Sequence, residues 1–254
     1  MSLEKIAQKL DQAATTGKAI PQFSNEQEMS VEEAYAVQSL SMALRRSRGE
    51  QPVGFKMGLT SKAKMKQVGV DEVIWGHLTD AMQISDGDEL ALAGNVHPRA
   101  EPEIAFIMGK TLSGDVSAAQ AMAAVEYICP AIEIIDSRYA NFKFSLSDVI
   151  ADNTSASKFV LGNRYNPDTD ISNLGMVVEV DGSTRAVGSS AAILGNPVRS
   201  LIAASRMLAK WGHSLKEGDI LLAGAATEAL PLSPGQSFRT MVQNLGHVSF
   251  QTTS

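Results

Sequence analysis

Apolar positions at helical spacing open the chain. Leu3, Ile6, Ala7 and Leu10 share one face of residues 2–16, a segment that is polar elsewhere. A second helix is predicted from Ser30, where Ser30-Val31-Glu32-Glu33 has capping-box spacing. Ala34, Val37, Ser41 and Leu44 continue one face, and Gly49 stands where such a helix stops. From Pro52 the period shortens from helical to alternating, with glycine punctuation. Strands are expected at VGFKMG (53–58), EIAFIMG (103–109), AIEIID (131–136), KFVLG (158–162), MVVEVDG (176–182), DILLAG (219–224) and HVSF (247–250), with Asp181-Gly182 as a hairpin turn. Two helices interrupt them. Ser117 caps one that ends at Pro130, and Asn196-Pro197 opens one that ends near Gly212. Irregularly mixed strands with few helices predict an α+β fold: an N-terminal helical segment, 1–50, and a strand-rich domain, 51–254.

Composition narrows the partners. The 254 residues carry a net charge of −6, and no Lys/Arg stripe stands out to neutralise phosphates, so no nucleic-acid partner is expected. No window approaches the ~18 apolar residues of a membrane span, and MSLEKIAQKLDQ lacks the apolar stretch of a signal peptide. Cys129 is the only cysteine and has no internal partner. These features predict a soluble cytoplasmic protein without membrane association.

Against that background, the segment HPRAEPEIAFIMG is anomalous. On a strand, Glu101, Glu103, Ala105 and Ile107 face one way, and Pro102, Ile104, Phe106 and Met108 the other. The second face reads as core, while the first begins with two like charges roughly 6.5–7 Å apart along the chain. A third acid, Glu133, interrupts the apolar run PAIEIID. Carboxylates in buried strands are costly when ionised and alone, so they are protonated, paired with Lys or Arg, or bound to a cation. An ordinary alternative puts Glu101 and Glu103 at an exposed strand start beside Arg99, with Glu133 on an edge. A cation held by three carboxylates would be hard, Mg²⁺ or Mn²⁺, because His77, His97, His213 and His247 are too scattered to build a zinc site.

Lys56, in VGFKMGLTS, is either an inward lysine beside a close backbone approach at Gly58 or an edge-strand lysine. Asp80, in WGHLTDAM, is a base or orienting acid, or a turn residue. The hydroxyl-rich loop ADNTSAS (151–157) suits a carboxylate ligand but is equally common as a plain loop. Trp75 reads as a core aromatic, and His97 and Cys129 as structural.

Taken together and in order from about residue 50 to the C-terminus, GFKMGLTSKAKMKQVGV, HPRAEPEIAFIMG, PAIEIIDSRYANFKFSLSDVIADNTSASKFVLG and GDILLAGAATEALPLSPGQ resemble the hydratase/decarboxylase branch of the fumarylacetoacetate hydrolase superfamily. KMGLTSKAKM and DSRYANFKF are most similar to members that decarboxylate 2-oxo-3-hexenedioate. The resemblance implies a mixed β-roll around a divalent metal, Mg²⁺ or Mn²⁺, with Glu101, Glu103 and Glu133 as ligands. It implies Lys56 and Asp80 as the polar groups near the substrate and Ser157 as a contact to its carboxylate. The implied reaction converts 2-oxo-3-hexenedioate to 2-hydroxypenta-2,4-dienoate in the meta-cleavage degradation of aromatic compounds. The sibling activity, hydration of 2-hydroxypenta-2,4-dienoate, and a catalytically silent partner of that hydratase stand as alternatives. A homo-oligomer or a complex with the hydratase is also implied. Lys62, Lys64 and Lys143 are candidates to meet the distal carboxylate, or ordinary exposed lysines.

Overall fold

The computed structural model describes residues 1–61, 65 and 72–254. Helix α1 (Leu3–Thr16) and helix α2 (Val31–Ser47) open the chain. The capping box forms as predicted: Ser30 Oγ accepts from Glu33 N at 3.1 Å, and Glu33 Oε2 accepts from Ser30 N at 2.9 Å. Beyond Arg48, Gly49 takes φ 100°, a conformation that costs glycine little.

The remaining elements are β1 (Pro52–Gly58), β2 (Ile74–Thr79), β3 (Gln83–Ile84), β4 (Glu89–Ala91), β5 (Pro98–Met108), α3 (Ala118–Met122), β6 (Val125–Asp136), α4 (Leu146–Ala151), β7 (Ala156–Leu161), β8 (Gly175–Val180), β9 (Ser183–Ser189), α5 (Pro197–Lys210), β10 (Ile220–Ala225), β11 (Leu230–Pro231), β12 (Ser237–Val242) and β13 (Gly246–Thr253). They build two sheets. The larger runs β2-β1-β10-β5-β6-β7-β3, with β11 added to β5, and the smaller runs β4-β13-β12-β8-β9. Both are mixed, since β1–β10, β3–β7 and β4–β13 pair in parallel and the other pairs are antiparallel.

Three apolar clusters explain why the larger sheet curls. On its inner face the small residues Ala105, Cys129, Ala131 and Ala156 cluster with Leu78, Phe159 and Leu222, drawn from strands far apart in the sheet. Small side chains let the strands close on one another. One region of the outer face, with Ile132, Ile134 and Val160, packs against Val178, Phe238, Val248 and Phe250 of the smaller sheet. Another, with Ile104, Phe106 and Met108, lies in one cluster with Ile6, Leu10 and Val37 of the N-terminal helices and Leu201 and Leu208 of α5. The result is an α+β fold, a curled mixed sheet with an N-terminal helical segment packed on it. Gln38 of α2 fastens that segment by donating to Trp75 O at 3.1 Å and Ile150 O at 3.0 Å.

One predicted element is corrected. The helix expected from Ser117 to Pro130 ends at Met122, and residues from Val125 onward are strand. Val125, Tyr127 and Ile128 favour a pleated surface, and pairing along nearly the whole of β5 outweighs the helix cap. Pro130 is tolerated there because its carbonyl accepts from Gly162 N, just beyond the end of β7. Its nitrogen faces that same flank, so the β5 ladder loses no donor.

A buried carboxylate cluster as candidate metal centre

The β5–β6 register sets the site. Glu101 lies directly opposite Glu133, and Glu103 opposite Ala131, so three acids meet on the inner face of neighbouring strands. One carboxylate oxygen from each falls within 4.8 Å of the others. They are not an exposed strand start: Glu103 and Glu133 are 0% exposed and Glu101 8%.

Lys56 enters from β1, buried to 3% exposure. Its Nζ lies 3.0 Å from Glu133 Oε2 and donates to Thr154 O at 3.1 Å. The acceptor carbonyl belongs to a stretch in which Asn153, Thr154 and Ser155 all take positive φ, from 49° to 58°. Three consecutive non-glycine residues in this region are strained. Side-chain bonds hold them there: Asn153 Oδ1 accepts from His77 N at 2.7 Å, Asn153 Nδ2 donates to His77 O at 3.0 Å, and Thr154 Oγ1 donates to Trp75 O at 2.8 Å. Trp75 itself is a core aromatic. On the opposite side Gly224 N donates to Glu103 Oε2 at 2.7 Å. Gly224 has φ 111°, and a Cβ there would stand 2.0 Å from Thr60 Oγ1, so this approach requires glycine.

Electrostatics mark the cluster as incomplete by itself. Burial raises the Glu103 carboxyl well above its ordinary value, and the charges of Glu133 and Glu101 add to the effect. Burial likewise pushes Glu133 up to about 6, against the opposing pull of Lys56. Burial alone would depress the Lys56 ammonium, but Glu133, Glu101 and Glu103 together hold it above its ordinary value. Glu103 Oε1 has no hydrogen-bond partner among the described residues, and neither Glu133 oxygen meets hydrogen-bond geometry. An all-oxygen donor set of three clustered, buried carboxylates fits a hard divalent cation.

Lys56 and Glu101 of the cluster line a cavity of about 420 Å³. Lys56, Glu101, Arg99 and Ser155 supply polar groups, and Ile74, Ile135, Phe142, Phe144, Leu146 and Val149 are among its apolar walls. Of the expected site residues, the fold brings together Lys56, Glu101, Glu103 and Glu133. It keeps Asp80 outside: that side chain is exposed, and its Oδ1 accepts from Gln51 N at 2.9 Å and Ala81 N at 2.8 Å, the work of a turn residue. Ser157 is half-buried within β7 and does not line the cavity. Ser155 lines it instead, with a buried Oγ that has no hydrogen-bond partner among the described residues. The left-handed run decides between the two serines, and nothing in ADNTSAS announces it. Lys143 is exposed and does not line the cavity, while Lys62 and Lys64 lie outside the described residues. Arg99 and Phe142 were not singled out from sequence, although Arg99 alternates with Glu101 and Glu103 on one face.

With this geometry in place, comparison with known proteins is informative. Residues 58–252 match the family described as fumarylacetoacetate (FAA) hydrolase, C-terminal. The chain belongs to the fumarylacetoacetate hydrolase family. Within it, the chain falls in the hydratase/decarboxylase branch, closely related to 4-oxalocrotonate decarboxylase. It is 54% identical, over 253 residues, to a 4-oxalocrotonate decarboxylase of Pseudomonas sp., covering 100% of this chain and 99% of that protein. It is 36% identical to the TodF product hydratase of Pseudomonas putida F1, over 98% of this chain and 94% of the relative. A solved structure of 4-oxalocrotonate decarboxylase from Pseudomonas putida G7, complexed with magnesium and adipate, superposes with a TM-score of 0.95 at 35% identity, covering 98% of this chain and 97% of that one. Among the described residues no helix is long and apolar enough to cross a membrane.

Proposed function

We propose that this protein is a carboxy-lyase that uses a divalent cation, Mg²⁺ or Mn²⁺, to decarboxylate 2-oxo-3-hexenedioate (4-oxalocrotonate) to 2-hydroxypenta-2,4-dienoate. The observation that carries the reading is the buried set of Glu101, Glu103, Glu133 and Lys56, of which Lys56 and Glu101 open onto one cavity. The choice of substrate is supported by the full-length similarity to a decarboxylase of that dienedioate.

In the reaction the C5–C6 bond breaks and C6 leaves as CO₂. The bonding pair forms C4=C5, the C3=C4 pair moves to C2=C3, and the C2=O pair settles on oxygen, which takes a proton from solvent to give 2-hydroxypenta-2,4-dienoate. A cation held by Glu101, Glu103 and Glu133 would supply Lewis-acid stabilisation of that oxygen's growing charge. Lys56 adds a fixed positive charge. Its ammonium donates to Thr154 O, is ion-paired with Glu133 and lines the cavity, where it can meet a substrate oxygen. Because its neighbours hold it protonated, Lys56 serves as an electrostatic stabiliser rather than a base. Ile74, Ile135, Phe144 and Val149 offer the conjugated carbons an apolar wall. A delocalised dienolate loses less there than the compact carboxylate from which its electrons come.

The test is CO₂ release from 2-oxo-3-hexenedioate by Mg²⁺-loaded protein, lost on chelation and restored by added cation. Water addition to 2-hydroxypenta-2,4-dienoate without decarboxylation would assign the hydratase activity instead. Turnover that survives exhaustive chelation would remove the cation from the reading.

A further inference from the structure

Arg99 has no role in the chemistry above, yet it occupies the cavity on a rigid support. Its backbone is fixed on both flanks, paired with Ile135 of β6 and Pro231 of β11. Its side chain is half-buried, and its Cζ stands 4.3 Å from the centroid of the Phe142 ring. That ring is placed at a backbone cost. Asn141 and Phe142 take φ of 60° and 55°, and an aromatic residue in this region is an outlier. The edges of His97, at 6.1 Å, and Phe144, at 5.3 Å, pack the ring in place. Among the described residues no carboxylate lies within ion-pair distance of the Arg99 guanidinium. A positive group is therefore held over an aromatic face, at a cavity wall, without an ion pair among the described residues.

Distance supplies the rest. Arg99 precedes Glu101 by two residues on the same strand face, a separation of roughly 6.5–7 Å along the chain. That is comparable with the end-to-end length of an extended six-carbon chain. A diacid whose 2-oxo acid end sits at Glu101, Glu103 and Glu133 would carry its far carboxylate to the level of Arg99. We infer that Arg99, stacked on Phe142, binds the distal carboxylate of the substrate and makes the site select dicarboxylates over 2-oxo monocarboxylates. The inference rests on the proposed function only in placing the 2-oxo acid end at the carboxylate cluster. Arg99 is here a specificity-determining residue. The guanidinium is delocalised, shared with the ring and partly hydrated, so it recognises the carboxylate without the tight ion pair that would oppose its departure as neutral CO₂.

The experiment is calorimetric binding of 2-oxohexanedioate and 2-oxohexanoate, which differ only in the distal carboxylate, to the Mg²⁺-loaded wild type, R99Q and R99K. The wild type should prefer the diacid. R99Q should lose about ten- to hundred-fold in diacid affinity, the scale of a charge-assisted contact, and bind the monoacid within about twofold of the wild type. R99K keeps the charge but not the stacked plane, and should retain part of the preference. Equal losses for both ligands in R99Q would place Arg99 at the 2-oxo acid end and overturn the inference, as would an unchanged preference. If R99Q does not fold, a full wild-type preference in R99K overturns it and a reduced one supports it. A protein that discriminates through Arg99 but releases no CO₂ would refute the proposed activity alone. One that releases CO₂ with no Arg99-dependent preference would refute this inference alone.

Discussion

Burial of like charges makes the stability of the cation-free protein depend on pH in an unusual direction. Glu133 titrates at about 6 in the fold against an ordinary 4.5, and Glu103 is raised in the same sense, in both cases chiefly by burial. A carboxyl whose folded value is raised favours the protonated folded state. Its contribution is fully present below pH 4.5 and is lost as the pH rises through 6. For Glu133 the difference between 4.5 and about 6 corresponds to about 2 kcal/mol, of which about 1 kcal/mol falls between pH 5 and pH 8. A cation at a hundred times its dissociation constant returns about 2.7 kcal/mol, enough to offset the whole loss. Urea unfolding at pH 5, 6, 7 and 8, in chelator and in saturating Mg²⁺, reads this directly. In chelator the wild type should lose about 1 kcal/mol more than E133Q across the range, and Mg²⁺ should remove most of the difference. Parallel profiles for the two proteins in chelator would refute the reasoning, because they would mean that Glu133 titrates normally in the fold.

Three further outcomes follow from the same geometry. E103Q removes a charge but keeps the side chain's size, so the protein should fold while calorimetry shows at least a tenfold loss of Mg²⁺ affinity; unchanged affinity would reject Glu103 as a ligand. K56M should lower kcat about 10²- to 10³-fold with little change in KM, since the fixed charge acts on the oxygen that gains charge in the transition state; steady-state kinetics showing less than a threefold loss would remove Lys56 from catalysis. G224A forces a Cβ to within 2.0 Å of Thr60 Oγ1 at φ 111°. Thermal unfolding should report a cost of at least about 2 kcal/mol, and a neutral change would mean that Thr60 gives way freely.

Much of the site was legible because strand periodicity is local. Glu101 and Glu103 on one face follow from spacing alone, and the register that sets Glu133 opposite Glu101 completes what the two apolar runs implied. The capping box at Ser30 and the turn at Asp181-Gly182 were equally readable, since each is decided within a few residues. Long-range pairing hid the rest. The cap at Ser117 is real, but the helix behind it yields to the β5 partner after one turn. β2, the run IWGHLT, is buried along its whole length and shows no alternation. β12 alternates in burial, but Arg239 and Thr240 interrupt its apolar run. Asp80 and Ser157 are polar residues in plausible places whose side chains the backbone sends elsewhere. Ser155 and Phe142 reach the cavity through positive φ at non-glycine residues, which composition does not signal.

The most direct test follows the fate of one carbon. Mg²⁺-loaded protein given 2-oxo-3-hexenedioate labelled with carbon-13 at C6, and observed by NMR, should move the label entirely into CO₂ and bicarbonate as 2-hydroxypenta-2,4-dienoate appears, with both signals absent in chelator. Label retained in a hydrated six-carbon diacid, or no reaction with the cation present, would contradict the account.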